Sequence, residues 1–415
     1  MPRRGNHKGL SIFLSMTRHP HHFDCIIIGK GPIGSAAAKH LKNSFGEVAI
    51  IGPDEPLHEA SKALVFSSHY DQSRVQRVIG VDPVWTRLNQ QSAARYPRLE
   101  KESGIRFHYP VGCLYISSYG KDHYLNNVPI QASQFRLPYQ FFENAGLVHK
   151  ALPDYAFPNG AFGMLEPAPS GHINPMQLIA AQLKVFEGKG GKVYRDTVIR
   201  VNKTGGRYAL GTATGLEFST DKVLVAAGAF SNFNNLLPRP LDLELKSETV
   251  LLVQVDEDEA QRLSRLPSLL YELDTGEVEG IYLVRPVQYP DGKYYLKMGC
   301  NLSTDITFAS LGQVQEWFRH GDTGANEKTL LKTLLQILPG LKAIGHKAKR
   351  CIISRTRHRL CYIGHGGMEN IFVAAGGNGY SAMCAESLGE VAAHFVRHGQ
   401  VPPEYPANSF EPVFT

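Results

Sequence analysis

The sequence predicts a two-domain α/β architecture: a doubly wound, largely parallel sheet interrupted by a second domain with a mixed or antiparallel β-sheet. Three observations predict it. The apolar run Phe23–Ile28 ends at the turn Gly29-Lys30-Gly31-Pro32-Ile33-Gly34 and leads into small residues with helical spacing. Elements of the same kind recur in the middle and near the end of the chain. Between them lie segments rich in tyrosine and β-branched residues, which read as strands.

Taken in order, Phe23–Ile28 is a strand of the fully buried type, Ser35–Leu41 a helix, and Val48–Ile51 a second buried strand. Together they form a β-α-β unit of about 30 residues, the size of a Rossmann-like dinucleotide-binding unit. In such a unit Gly29 permits the tight turn, Gly31 lets the backbone approach a pyrophosphate, and Gly34 brings helix close to strand. The helix N-terminus directs its amides and positive dipole end at the phosphates. The acid that usually closes the second strand is replaced by Gly52-Pro53-Asp54; either Asp54 or Glu55 substitutes for it, or both are ordinary loop charges. Further along, Cys113–Ser117, 249–254, 280–284 and 294–299 read as strands, and 152–175 as a connection between lobes. A helix over 174–187, a strand over 192–195, and a strand over 222–226 ending at Gly228 return to the nucleotide type. The strand Ile371–Ala375 runs into Gly376-Gly377-Asn378-Gly379 and a helix through Val396. The expected division is therefore a nucleotide domain from 23–105, 170–240 and 340–400, a substrate domain from 106–169 and 241–339, an arm over 1–22, and a tail over 401–415.

Composition narrows the class. A hydrophobic fraction of 43% with 20% charged residues suits a soluble globular chain, and no apolar run approaches the roughly 20 residues of a membrane span. The net charge of +6 is scattered without a basic stripe, so no nucleic-acid partner is expected. Six cysteines without a CxxC pair imply a reducing, cytoplasmic setting. The acid-free arm Met1–His22 reads as a disordered tail, with an organelle presequence as the alternative. His19, His21 and His22 cluster in that arm as surface groups, and no metal site is expected. A Gly-x-Ser-x-Gly nucleophile elbow is absent.

The segment Arg355-Thr356-Arg357-His358-Arg359-Leu360-Cys361-Tyr362-Ile363-Gly364, followed by Ile371 to Gly379, resembles the closing motif of the D-amino-acid-oxidase superfamily of FAD-dependent oxidoreductases. Gly171-His172-Ile173-Asn174-Pro175 and the strand ending Ala226-Ala227-Gly228 are similar to that superfamily too, in the same order. Within it, Ser67-Ser68-His69-Tyr70-Asp71-Gln72-Ser73-Arg74-Val75-Gln76-Arg77 resembles, with one extra residue, the Ser-His-Gly-Asp-Thr-Arg-x-x-Arg segment of the monomeric sarcosine oxidase and N-methyltryptophan oxidase family.

The resemblance implies an FAD held by Gly29, Gly31, Pro32, Ile33, Gly34, Asp54, Ser73, Arg74, Val198, Ala227, Gly228 and the loop Gly376, Gly377, Asn378, Gly379, Tyr380. Cys351, five residues before Thr356, matches the cysteine that carries the flavin as a thioether. Arg74 matches the arginine beside the flavin, Arg77 the one that holds a substrate carboxylate, and Lys297 the lysine that helps oxygen accept electrons. Three substrate-side positions depart from the family: Met383 replaces a lysine, Asn301 a histidine and Ile353 a tyrosine. The implied reaction is oxidation of a C–N bond in a secondary or cyclic amine or amino acid, giving an imine and hydrogen peroxide with molecular oxygen as acceptor, in a monomer. An amino-acid dehydrogenase with another acceptor and a ring-desaturating tailoring enzyme are the alternatives, and the departures make sarcosine itself a doubtful substrate.

Overall fold

The computed structural model describes residues 21–56, 62–119 and 127–415. Of the expected arm, only His21 and His22 fall within the described residues, and they open the first strand, His21–Ile28. That strand pairs in parallel with Val48–Ile51 on one side and Glu217–Val225 on the other. Lys192–Tyr194 extends the parallel order beyond Val48–Ile51, and Ile371–Ala375 extends it beyond Glu217–Val225. The antiparallel strands Val198–Thr204, Arg207–Thr212 and Tyr362–His365 complete an eight-stranded sheet. Its inner strands turn apolar at their C-terminal ends, where both faces are covered: Cys25, Ile26 and Ile27 are fully buried.

A nine-stranded sheet forms the second layer. It is antiparallel except where Ser268–Asp274 runs parallel to Cys113–Ser117, so it is mixed. A three-stranded sheet of Arg74–Gln76, Gly171–Ile173 and His108–Tyr109 lies apart from both. Among the described residues no helix is long and apolar enough to cross a membrane.

Three stretches pair or pack in ways the order of elements did not announce. Residues 340–400 do not begin in the nucleotide layer: Gly345–Thr356, which carries Cys351, pairs with the strand Leu243–Val255 from Gln254↔Gly345 to Leu243↔Thr356. Its charged run His346-Lys347-Ala348-Lys349-Arg350 carries no alternating apolar residues that would betray a strand. The 21-residue helix Pro83–Ser103 went unforeseen because Pro97 interrupts it, although Trp85, Leu88, Ser92, Tyr96, Leu99 and Ser103 keep helical spacing on its buried face. The tail over 401–415 is packed against the eight-stranded sheet: Phe410 is fully buried, and its carbonyl accepts the Ile363 N–H at 2.7 Å.

Behind the glycine turn, Glu386 ties three helices together. Its buried carboxylate meets Lys39 and His40 (2.9 Å) of the helix Pro32–Leu41 and Gln182 (3.2 Å) of Pro175–Gly188. Burial alone would raise its pKa, but His40 and Lys39 outweigh burial and hold it near 2, below the ordinary 4.5. The sign follows: this contribution to stability is fully present above about 4.5 and is lost as pH falls toward 2. Glu386→Ala, which strands Lys39, is expected to cost about 3–5 kcal/mol in urea unfolding at pH 7. A cost below about 1 kcal/mol would show that the cluster is incidental.

Candidate active site

Gly29 stands at φ +110°, and a Cβ there would lie 2.3 Å from the carbonyl oxygen of Ala226. Only glycine allows the first strand to turn this tightly against its neighbour. A Cβ on Gly34 would lie 2.0 Å from the Gly29 carbonyl oxygen, so the helix starting at Pro32 seats directly on the turn. Gly31 faces open space, its nearest Cβ contact being 4.0 Å away. The turn thus leaves room above the helix N-terminus for a phosphate group.

The turn borders a cavity of 1460 Å³ between the two large sheets, well beyond the roughly 300–1,000 Å³ of a pocket for one small molecule. On the nucleotide side its wall is built from Gly29, Gly31, Pro32, Ile33, Val198, Ala227 and Gly228. The loop Gly376, Gly377, Asn378, Gly379 and Tyr380 closes one end, together with Met383. Cys351, Ile353 and Asn301 line the opposite sheet, and Arg74 and Arg77 enter between the layers. Sequence positions 29 to 383 are thereby brought to one space.

Gly34, packed against the Gly29 carbonyl, and two further expected residues are not on that wall. Ser73 and Lys297 are fully buried behind it: Lys297 Nζ pairs with the Asp71 carboxylate and donates to the Ser73 carbonyl oxygen at 2.8 Å. Asp54 does reach the cavity edge, but its exposed carboxylate is paired with Lys30 and with Arg195 at 3.2 Å. Gly52 explains why no acid closes the second strand, since a Cβ there would lie 2.5 Å from the Lys30 amide nitrogen.

The two arginines sit on or just after a short strand, and both are shielded from solvent. Arg74 donates to the Ser68 carbonyl, with Cys351 Sγ and an Asp71 oxygen each at 3.7 Å from Nη2. Arg77 is 3% exposed and lies between the rings of Tyr380 (5.4 Å) and Tyr115 (5.7 Å). Its Nε and Nη1 have no hydrogen-bond partner among the described residues. A guanidinium in this state presents open donors to a carboxylate.

The Cys351 strand and the closing loop are stitched together. Asn378, at φ +51°, donates its N–H to the Ser354 carbonyl, and its Oδ1 accepts the Thr356 N–H, both at 2.9 Å. Trp317 Nε1 donates to the Cys351 carbonyl at 2.9 Å. Several side chains escaped the sequence reading. Asp71 stands within the segment quoted for its arginines, and its other oxygen accepts from the Tyr289 hydroxyl at 2.8 Å. Glu248, 5% exposed, lines the cavity one residue before the strand start expected at 249; a charge beside an apolar run was its only signal. Burial and the Arg74 charge push His69 down to about 3, which keeps its ring neutral.

A glycine turn at a helix N-terminus, a cradle that admits no side chain, and a cavity reaching from there to a second sheet define a dinucleotide-dependent oxidoreductase. Residues 24–395 match the model of the FAD dependent oxidoreductase family DAO, and the chain belongs to that family. It is 23% identical over 387 residues to the monomeric sarcosine oxidase of Bacillus sp. (strain NS-129), covering 91% of this chain and 94% of the relative. It is 26% identical over 220 residues to N-methyl-L-tryptophan oxidase of Yersinia pestis (strain Pestoides F), covering 52% and 56%. Among solved structures, NikD, described as an unusual amino acid oxidase essential for nikkomycin biosynthesis, superposes with a TM-score of 0.75 at 14% identity, covering 95% of this chain and 98% of NikD. L-proline dehydrogenase from P. horikoshii also gives 0.75, at 17% identity, covering 95% and 97%. These two likenesses establish the fold.

Proposed function

We propose that the protein oxidises a C–N bond in a secondary or cyclic amine or amino acid, with FAD attached through Cys351 and molecular oxygen as the final acceptor. Bound FAD supplies the two-electron chemistry. The observation that carries the reading is Arg77, a buried guanidinium with open donors in the same cavity as the glycine turn. It holds the carboxylate of an amino-acid substrate while the sheet floor orients the amine. Arg74 keeps a positive charge beside the Cys351 thiol. The relatives named sarcosine oxidase and N-methyl-L-tryptophan oxidase support this reaction class.

The test is anaerobic mixing of the holoenzyme with a panel of amines and amino acids, following bleaching of the flavin. Bleaching by at least one secondary amine is expected; a flavin that no member of the panel reduces would refute the proposal. Arg77→Met is expected to raise KM about hundredfold for carboxylate-bearing substrates, the scale of a lost buried charge-assisted pair. An unchanged KM removes Arg77 from the substrate site.

One observation favours a second reading, an amino-acid dehydrogenase with another acceptor. Lys297 is held by Asp71 behind the cavity wall, away from the space that oxygen would enter. Stopped-flow reoxidation by air separates the two, slow reoxidation marking the dehydrogenase.

A further inference from the structure

The floor of the cavity is the inner face of the nine-stranded sheet, and its side chains follow from the register. Leu270 opposes Tyr115 on one neighbouring strand and Tyr282 on the other. Tyr282 opposes Gly299, and Glu248 opposes Cys351. Directly opposed residues point to the same face, so Tyr115, Leu270, Tyr282 and Gly299 share one. Gly299 has a structural reason: a Cβ there would lie 2.4 Å from the Tyr282 ring. The ring lies across Gly299 and brings its hydroxyl within 2.7 Å of the Glu248 carboxylate.

Glu248 is 5% exposed, and among the described residues its hydrogen-bond partner is this phenol; no cation lies within ion-pairing distance. A second buried carboxylate, Glu272 at 4% exposure, lines the same cavity, as does Asn301. Asn301 opposes Glu279, and Gly280 contributes no side chain between the strands that carry Asn301 and Glu272. Away from the Arg77 end, Glu248 and Glu272 line the floor, while the Asn301 Oδ1 accepts at 3.0 Å from Lys246, itself paired with Asp305. Glu248, a buried carboxylate with no cation paired to it among the described residues, is costly on its own, and a ligand cation offsets that cost. At the other end, Arg77 offers donors to an anion.

We propose that the substrate is a basic amino acid or its N-alkyl derivative: its carboxylate is held by Arg77, and its distal ammonium or guanidinium group is held by Glu248. The proposal rests on the amine-oxidation reading and names the substrate class within it. The alternative role for Glu248 is counter-ion to Arg74, whose pKa is raised, against the effect of burial, by neighbours that include Cys351, Asp71, Tyr282 and Glu248. The two roles differ in what they discriminate. A counter-ion affects every substrate alike, whereas a cation subsite affects only those that carry the distal charge.

The experiment compares anaerobic reduction of the holoenzyme by Nα-methyllysine and by Nα-methylnorleucine, a neutral analogue lacking the distal ammonium group. It is run in the wild type and in Glu248→Gln. The wild type is expected to prefer the lysine derivative about hundredfold in kcat/KM, and the ratio is expected to collapse toward unity in Glu248→Gln, mostly through KM. Equal rates in the wild type overturn the proposal, as does a variant in which both rates fall together with the ratio preserved. The wild-type comparison stands even if the variant fails to fold. Titration of the oxidised holoenzyme with lysine and norleucine, read as a shift of the flavin absorbance, judges the pocket separately from catalysis. Tighter binding of lysine supports the subsite even where no amine reduces the flavin, an outcome that would refute the reaction class alone. Equal binding of the two overturns the subsite.

Discussion

Lys297→Met is expected to slow reoxidation of the reduced enzyme by oxygen about 10²–10³-fold, the scale of removing one preorganised charge-stabilising group, while substrates still bleach the flavin. The reason is electrostatic. The Lys297 ammonium is fully buried, and a fixed charge in such surroundings stabilises developing superoxide without reorganisation when the electron arrives. Burial and the nearby Arg74 lower its pKa to about 8, against the opposing pull of Asp71. Reoxidation is therefore expected to hold below about pH 8 and to decline as pH rises through that value. Asp71 stays ionised throughout, because Lys297 and Arg74 outweigh the burial that would raise its pKa. Asp71→Asn removes the carboxylate that keeps Lys297 charged, so the alkaline decline should move to lower pH. Stopped-flow oxygen mixing across pH checks both variants. A Lys297→Met enzyme that reoxidises at the wild-type rate would assign the lysine to structure and favour the dehydrogenase reading.

Much of this arrangement was legible in the sequence, and the reason is local. The strand–glycine-turn–helix unit depends on residues within a dozen positions of one another, so Gly29, Gly31 and Gly34 declare it directly. Arg74 and Arg77 were legible as a pair, but their burial was not. The short strand that shields them pairs with Gly171–Ile173, nearly a hundred residues away. Long-range pairing also hid the strand Gly345–Thr356, whose charged opening carries no run of alternating apolar residues and whose register is dictated by Leu243–Val255. The missing ribose acid shows the same limit. Its absence was evident at Gly52, but the cause is the Lys30 backbone pressed against that position. Glu248 escaped notice because a charge beside an apolar run signals function only once a cavity is known to lie on that side, and Asp71 and Tyr289 because long-range folding alone brings them together with Lys297.

Acid precipitation of the wild-type holoenzyme is expected to leave the yellow colour in the protein pellet, and Cys351→Ser to release all of it to the supernatant. Among the six cysteines, the position of Cys351 fits the proposed attachment. Cys25, Cys113, Cys361 and Cys384 are fully buried away from the cavity, and burial raises all four thiols, Cys25 and Cys361 to about 12. Cys300 does reach the cavity, but burial raises it too, with Glu248 and Asp305 adding to the rise. Cys351 alone combines a place on the cavity wall with a guanidinium nitrogen 3.7 Å from its sulfur. Its strand is held on both sides of the site, by Trp317 at the Cys351 carbonyl and by Asn378 at Thr356, so the sulfur is fixed relative to the closing loop. Colour retained by Cys351→Ser but lost by Cys300→Ser would move the attachment to the strand Tyr294–Leu302, on the far side of Leu243–Val255. Colour lost from the wild type would make the cofactor dissociable, leaving Arg74 and the glycine turn to hold it by contacts alone.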